Sequence, residues 1–282
     1  MKTIGFIDLY IDEWHANNYP AFFAQTAYGK DFQVTMAYEE TPHPDRRPLD
    51  KWCQDMNIKP ARSIQEVVDN CDCILVLAPN DSDRHEDLAD YALTSGKPVY
   101  IDKTFAPSLA AARRLFARAK KYNTPLMSTS ALRYSKSVIN CRTPGECSYF
   151  CGFGGGLWFD VYAVHQVEMM VALCGTDAEK VMVNAAGDIR TAEVVYSNGR
   201  IGRVNYEKMI AYMHTVRYEN NETKFDSLEG DTYFKRLMEN IAGFFHTGRS
   251  SVDPAETCAV CAILEAMKIA AQTPGIWVNI PR

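Results

Sequence analysis

Two residues of this sequence, a lysine and a histidine, have side chains suited to moving protons. Lys103 ends the fourth predicted strand, in the stretch GKPVYIDKT, where its amine can hydrogen-bond a hydroxyl and stabilise an alkoxide if neighbouring groups tune its pKa. His165 lies in the apolar stretch GLWFDVYAVHQVEMMVALCG, with Tyr162 and Glu168 three positions away on its own helix face. The alternatives are a surface lysine and a hydrogen-bonded core histidine. Together these residue types predict acid–base chemistry on a hydroxyl group.

The first predicted turn, within GFIDLYIDEWHANNYP, is acidic where a nucleotide-binding protein has glycines. Asp8, Asp12 and Glu13 repel a diphosphate, and the side chain of Tyr10 hinders its close approach. If a dinucleotide binds, an aromatic side chain of the turn packs beside it in a different geometry. If none binds, the acids and His15 hold polyol hydroxyls, a divalent ion or a partner.

Polar residues that follow the predicted strands are the remaining candidates, because ligands of an open parallel sheet bind beyond the carboxyl ends of its strands. Glu39 ends the second strand, where a carboxylate can accept hydrogen bonds from the ribose hydroxyls of an adenosine. A solvated loop acid is an equally simple interpretation of Glu39. Asn80 and Asp102 follow the next two strands. A ligand at this edge of the sheet is expected to contact them.

The elements that position these residues alternate in the first half of the chain. β-branched runs and helical patterns follow one another to about residue 132, which is typical of a doubly wound parallel sheet with crossover helices. The predicted strands are Thr3 to Leu9, Gln33 to Glu39, Cys71 to Ala78, Pro98 to Asp102 and Pro125 to Ala131. The sequence therefore predicts an α/β Rossmann-like domain over residues 1–132.

The second part of the chain, residues 133–282, has the pattern of an α+β domain with a mainly antiparallel sheet. Residues 141–156 are rich in glycine and cysteine and are predicted to be a loop, and an apolar helix follows from Phe159 to Leu173, ended by Gly175. The predicted strands are Lys180 to Asn184, Thr191 to Tyr196, Arg200 to Lys208 and Tyr212 to Tyr218. Two helices close the chain, and the second opens with Asp253-Pro254.

Composition and charge exclude several kinds of partner. The formal charge of −5 over 282 residues leaves no basic footprint for nucleic acid or an anionic membrane. No apolar run approaches the ~20 residues that span a bilayer, and the acidic N-terminus is unlike a signal peptide, so a cytoplasmic protein is expected. The nine cysteines, an odd number in a long chain, are interpreted as reduced thiols, and no metal site is expected.

Three long motifs follow one another along the chain and carry a family resemblance. They are SIQEVVDNCDCILVLAPNDSDRHEDLADYALTSGKPVYIDKTFAPSLAAARRL, GGGLWFDVYAVHQVE and FFHTGRSSVDPAETCAVCAILEA. In this order the chain resembles the Gfo/Idh/MocA family of nicotinamide-dependent sugar and cyclitol dehydrogenases, with DKT at 102–104 where the family has Glu-Lys-Pro. The resemblance implies a Rossmann domain joined to an α+β domain whose sheet forms a homo-oligomer, a dimer or a tetramer.

The resemblance also implies roles for individual residues. Lys103 and His165 take the places of the family's catalytic lysine and histidine, and Tyr162 or Asp160 orients His165, because the family's acid position holds Val161. NAD or NADP is the implied cofactor, and a sugar or polyol is the implied substrate. Cofactor contacts are expected from Asp8, Leu9, Tyr10, Glu39, Pro79, Asn80, His85 and Asp102, and substrate contacts from Arg133 and Trp158.

The predicted function is that of an NAD(P)-dependent oxidoreductase acting on a secondary alcohol of a sugar, a cyclitol or a derivative. Three departures from the family pattern favour an alternative: the turn lacks glycines, the segment between Tyr134 and Phe153 is short, and the acid Asp160 is displaced by one from the family's position, which holds Val161. The alternative is a cofactor-less homologue that serves as a carbohydrate-binding or regulatory protein, or as a non-redox lyase or hydrolase.

Overall fold

The computed structural model describes residues 1–142 and 147–282, which divide into two compact units. The first unit comprises Met1–Ala106, Ala111–Thr129 and Phe234–Asp253, and the second comprises Pro107–Ala110, Ser130–Tyr233 and Pro254–Arg282. The sequence places a single boundary after residue 132, whereas the structure assigns a late segment of the chain to the first unit.

The first unit is built on a six-stranded parallel sheet in the order β3-β2-β1-β4-β5-β6. The strands are β1 (Lys2–Asp8), β2 (Phe32–Glu39), β3 (Lys59–Pro60), β4 (Cys73–Val76), β5 (Val99–Ile101) and β6 (Leu126–Met127). Every residue of β4 is buried, as expected for a strand with helices on both faces. The doubly wound Rossmann-like prediction is therefore confirmed, and the strand order reverses between β1 and β4.

Helices connect these strands and cover the sheet. They are α1 (Trp14–Ala24), α2 (Leu49–Met56), α3 (Ile64–Asn70), α4 (His85–Ala89) and α5 (Leu109–Lys121). The sequence pattern of Ser82 to Ser95 resembles one helix, but α4 is flanked there by the 3-10 turns Ser82–Arg84 and Ala92–Thr94. The hydrogen bonds Asp90 N to Asp87 O and Ser95 N to Ala92 O have the tighter i to i−3 spacing that interrupts the α-helix.

The second unit is built on a seven-stranded sheet in the order β12-β11-β7-β10-β9-β8-β13. Its strands are β7 (Cys147–Gly154), β8 (Ala178–Ala186), β9 (Ile189–Tyr196), β10 (Ile201–Tyr206), β11 (Met213–Tyr218), β12 (Thr223–Ser227) and β13 (Trp277–Asn279). All neighbours are antiparallel except β7 and β10. Helices α6 (Lys136–Cys141), α7 (Phe159–Cys174), α8 (Tyr233–Thr247) and α9 (Pro254–Gln272) complete the chain. The α+β prediction is confirmed.

The predicted loop over residues 141–156 is wrong in its second half, because β7 lies in the middle of the sheet. Residues 143–146 of that loop lie outside the described residues. The glycines that indicated a loop instead allow aromatic side chains to pack closely on the backbone. A Cβ at Gly154 would collide with the ring of Tyr212, and a Cβ at Gly156 would collide with the ring of Tyr162.

Helix α8 packs in the first unit, which explains the difference from the predicted boundary. Phe245 of α8 lies against Phe32 of β2 with ring centroids 6.1 Å apart, and Lys2 Nζ donates to Phe245 O at 3.3 Å. Two predicted helix ends are confirmed elsewhere: α9 begins at Pro254, and Gly175 ends α7 with a φ of 91°.

Three other findings bear on the expectations about membranes, cysteines and metal ions. In the described part of the chain, no helix is long and apolar enough to cross a membrane. The nine cysteines are all free thiols and none is fully exposed. Within residues 1–142 and 147–282, no three His, Cys, Asp or Glu side chains lie together as a metal ligand set.

Phe150→Ala is expected to destabilise the second unit. Phe150 on β7 is fully buried in its core, so truncation leaves a cavity and lowers the free energy of unfolding by about 3–5 kcal/mol. Phe225 on β12 is 66% exposed, and Phe225→Ala should change stability by less than about 0.5 kcal/mol. Urea unfolding of both variants provides the comparison. Equal losses would contradict the position of β7 in the core.

Candidate functional site

A buried polar cluster lies where β1 and β5 end in the first unit. His15 Nδ1 contacts Asp102 Oδ2, and the Tyr19 hydroxyl lies 3.1 Å from the same nitrogen. The rings of His15 and Tyr19 are stacked, 4.9 Å apart. Burial raises the pKa of Asp102, but His15 and Lys103 outweigh it and hold that pKa below its ordinary value. Asp102 is therefore ionised, and it fixes the orientation of the imidazole.

Lys103 follows Asp102 and is 6% exposed. Its Nζ donates to Pro79 O at 2.8 Å. Burial lowers the pKa of the Lys103 amine, and the charges of Asp102 and Glu13 offset part of that effect. A lysine with a lowered pKa gives up a proton more readily than a surface lysine does, so Lys103 can act as an acid or a base.

Glu13 caps helix α1 with its own carboxylate. Its Oε1 accepts from Ala16 N, and its Oε2 accepts from His15 N at 2.8 Å. The side chain is buried, and burial raises its pKa although the interaction with His15 opposes this. Helix starts carry unpaired amides that attract anions. In this chain the carboxylate of Glu13 occupies that position at the start of α1.

Asp8 closes the other side of the turn. Its Oδ1 accepts from Leu9 N at 2.7 Å and from Ala78 N at 3.0 Å, while its Oδ2 is buried and has no hydrogen-bond partner among the described residues. Burial raises the pKa of Asp8 well above its ordinary value, and the charge of Glu13 raises it further. Asp8 is thus held toward its neutral form.

The remaining residues predicted to contact a cofactor are engaged within the first unit. Glu39 Oε2 accepts from Ile11 N at 3.0 Å and ties the turn to β2. Tyr10 is partly buried and packs on His43, with ring centroids 5.2 Å apart. His85 is fully buried, with Nε2 2.6 Å from Leu77 O and Nδ1 3.1 Å from Phe105 O, and burial lowers its pKa. These contacts give each side chain a structural role.

A dinucleotide does not fit this turn in the manner of a glycine-rich one. The amides of Ala16 and His15 are occupied by Glu13, and Asp8 and Glu13 place two carboxyl groups where a diphosphate needs donors. Glu39, the expected ribose ligand, holds Ile11 instead. The prediction of bound NAD or NADP stays a prediction that this geometry does not favour.

His165 occupies helix α7 in the second unit. Its Nδ1 lies 2.7 Å from Ser130 Oγ, and the rings of Tyr162 and Tyr212 lie 5.9 and 5.6 Å from its own. Ser130 was not singled out in the sequence, although it closes a polar run, Ser128 to Ser130, after strand β6. A histidine oriented by a hydroxyl and two aromatic rings is suited to exchanging a proton.

The other predicted site residues on α7 are exposed, or form an ion pair with another residue. Trp158 is the N-cap residue of α7 and is 54% exposed, and Asp160 is exposed in the first turn. Glu168 is buried and pairs with Arg133, whose Nη1 lies 3.3 Å from Glu168 Oε1. Their roles as a substrate surface and an orienting acid stay predictions.

Arg133 is the centre of a buried ion-pair network in the second unit. Its guanidinium contacts Glu168 on α7 and Glu256 on α9, and the charges of both acids raise its pKa against the effect of burial. Arg142 also reaches Glu256, at 3.4 Å. Because both carboxylates already engage its guanidinium, Arg133 is a structural centre of this unit, and its predicted substrate contact stays a prediction.

Comparison with known proteins identifies the first unit. Residues 14–130 match the family model GFO_IDH_MocA, described as an oxidoreductase family with an NAD-binding Rossmann fold. This part of the chain belongs to the Gfo/Idh/MocA family. Its relative YdgJ of Escherichia coli, described as an uncharacterized oxidoreductase, is 30% identical over 130 residues, which cover 38% of this chain and 37% of YdgJ. The chain thus matches little more than a third of this curated relative.

Two solved structures are similar to this chain over nearly its whole length. The scyllo-inositol dehydrogenase from Lactobacillus casei has a TM-score of 0.81 at 10% identity, covering 99% of this chain and 98% of that chain. The WlbA dehydrogenase from Bordetella pertussis, solved with NADH and UDP-GlcNAcA, has a TM-score of 0.78 at 16% identity, covering 99% of each chain. At these identities the similarity confirms the fold.

Asp8→Asn is expected to stabilise the chain at neutral pH. Because its folded pKa is raised, Asp8 retains a proton that the unfolded chain releases above its ordinary pKa of 3.8. Its contribution to the free energy of unfolding therefore falls as pH rises above about 4. The neutral amide removes this loss, so the variant should be more stable than wild type at pH 7, and the difference should disappear in acid. Urea unfolding across this pH range measures the gain.

Asp72→Asn is the matched control with the opposite sign. Thr3 N donates to Asp72 Oδ2 at 2.8 Å and lowers the pKa of that carboxyl, so its stabilisation is present at neutral pH and is lost as pH falls. The control variant should be less stable than wild type at pH 7. Loss of stability in Asp8→Asn at pH 7 would contradict the environment described for Asp8.

Proposed function

We propose that this chain is an enzyme of the Gfo/Idh/MocA type whose acid–base residues act on a secondary alcohol of a sugar, a cyclitol or a derivative. The observation that carries the proposal is the buried Lys103, whose amine lies at the carboxyl end of β5 with a lowered pKa. A lysine in this state can hold a substrate hydroxyl and exchange its proton. The substrate class is supported by the similar fold of a scyllo-inositol dehydrogenase.

His165 is proposed as the second acid–base residue. Its contact with Ser130 leaves the imidazole held in one orientation, which a proton-exchanging group needs. Lys103 and His165 belong to different units, and each assignment is argued from its own surroundings. Tyr162, one turn before His165 with its ring 5.9 Å away, is proposed to support the imidazole.

Two reaction classes use these residues. In an NAD(P)-dependent oxidoreductase, Lys103 and His165 manage the proton of the alcohol. In a dinucleotide-free homologue, the same groups serve acid–base chemistry without net redox, as in a lyase or a hydrolase. The capping of α1 by Glu13 favours the second class. A panel of sugars and cyclitols followed by proton NMR, with and without NAD⁺ and NADP⁺, separates the two.

Lys103→Met and His165→Asn are each expected to lower kcat/KM by about 10²–10⁴ on the substrate found in that panel. If both residues serve one step, the double variant should lose less than the product of the two single effects. Circular dichroism and urea unfolding establish that the variants are folded.

Control substitutions use a lysine and a histidine far from these roles. Lys51 is exposed and pairs with Asp55, and His246 lies at the end of α8 beside Tyr28. Lys51→Met and His246→Asn should retain wild-type kcat/KM. Full activity in both Lys103→Met and His165→Asn would remove the acid–base assignment.

A further inference from the structure

The turn between β1 and α1 has side chains at the three positions where a dinucleotide-binding turn has glycines. The Rossmann fingerprint G-x-G-x-x-G begins at the end of the first strand and ends at the start of the following helix. Here β1 ends at Asp8 and α1 is capped by Glu13, so the fingerprint positions are 8, 10 and 13. They hold Asp8, Tyr10 and Glu13.

Each of these side chains blocks the function of the glycine it replaces. The first and third glycines allow a tight turn and close packing of helix on strand, and the second lets the backbone approach the diphosphate. Tyr10 packs on His43 and lies under Arg46, whose guanidinium is 5.3 Å from the ring centre. Asp8 and Glu13 are both buried. The space and the surface that a diphosphate needs are filled by the chain.

Glu13 does more than fill space, because it makes the hydrogen bonds that a diphosphate makes. Its two carboxylate oxygens accept from the first amides of α1, those of His15 and Ala16. The imidazole of His15 lies beside it, and that ring is held in turn by Asp102. The negative charge at the helix start is therefore supplied and balanced within the first unit.

Two further contacts keep the turn in this arrangement. Glu39 accepts from Ile11 N, so the acid expected to bind a ribose holds the turn itself. Asp12 accepts from the guanidinium of Arg47, with Asp12 Oδ1 2.7 Å from Arg47 Nη2. A bound dinucleotide would have to break the Glu13 and Glu39 contacts before gaining its own.

We propose that Glu13 is an internal substitute for the diphosphate of a dinucleotide, and that this Rossmann domain works without NAD(P). The proposal rests on the geometry of the turn and not on the roles given to Lys103 and His165. Its consequence for those roles is that the acid–base chemistry proceeds without a bound hydride acceptor.

The test is a titration with NADH, followed by nicotinamide fluorescence and calorimetry, after carried-over nucleotide has been removed. Wild-type chain should show no saturable binding up to about 1 mM. The variant D8G/Y10G/E13G restores the glycines and should bind NADH with a Kd of about 10–100 μM. A saturable wild-type Kd below about 1 mM overturns the proposal. So does a folded triple variant that fails to bind.

Two single variants test whether NADH binding by the triple variant comes from the loss of an acidic charge or from added flexibility of the turn, rather than from the restored glycines. Asp12→Gly removes an acid and adds a glycine in the same turn, outside the fingerprint positions, and should not bind NADH. Glu13→Gln removes the charge but keeps a side chain at the helix start, and it too should not bind. Binding by either variant as tight as that of the triple variant contradicts occupancy of the site by Glu13.

A thermal-shift measurement keeps the test decisive if the triple variant does not fold. Glu13→Gly frees the helix-start amides while Asp8 and Tyr10 still fill part of the turn, so millimolar NADH should raise its Tm slightly and leave the Tm of wild type unchanged. A rise of equal size in both proteins overturns the proposal. Because the readout is binding, loss of activity through Lys103 or His165 cannot be confused with it.

Discussion

The carboxylate of Glu13 at the start of α1 is the interaction on which the functional edge of the first unit depends. It satisfies two of the amides that every helix start leaves unpaired, and it faces the positive end of the helix dipole. From there the contact between His15 and Asp102 continues the polar cluster to Lys103. The burial of so many ionisable groups is tolerated because each has an opposite charge or a backbone donor beside it.

Much of the fold was predictable because it depends on short-range patterns. The parallel sheet, the α7 helix and its end at Gly175 follow from β-branched runs, apolar spacing and glycine placement. Strand β7 was missed because its glycines make room for side chains that are distant in the sequence, the ring of Tyr212 beside Gly154 and the amide of Gln166 beside Gly152. The local amino-acid composition does not reveal which distant side chains lie beside these glycines in the folded structure.

The candidate site was predictable in its residue types but not in its pairings. Asp8, Glu39, Asp102 and Lys103 were found because parallel strands bring their carboxyl ends together. The contact of His15 with Asp102 joins residues 87 positions apart, and Ser130 meets His165 across 35 positions. Such pairs follow from the packing of whole elements. Conversely, a resemblance that correctly identifies the family does not establish which chemistry the turn allows, because function depends on the site rather than on the fold.

The buried network of Arg133, Glu168 and Glu256 has a consequence for how this chain can vary. It joins the segment Ala131–Tyr134 to helices α7 and α9 inside the second unit. Removing one member leaves a buried charge without compensation, whereas replacing all of them by apolar groups of similar volume can be neutral. Substitutions at these positions should therefore be inherited together. Chains of this lineage will carry either the whole charged set or an apolar one, and seldom a mixture.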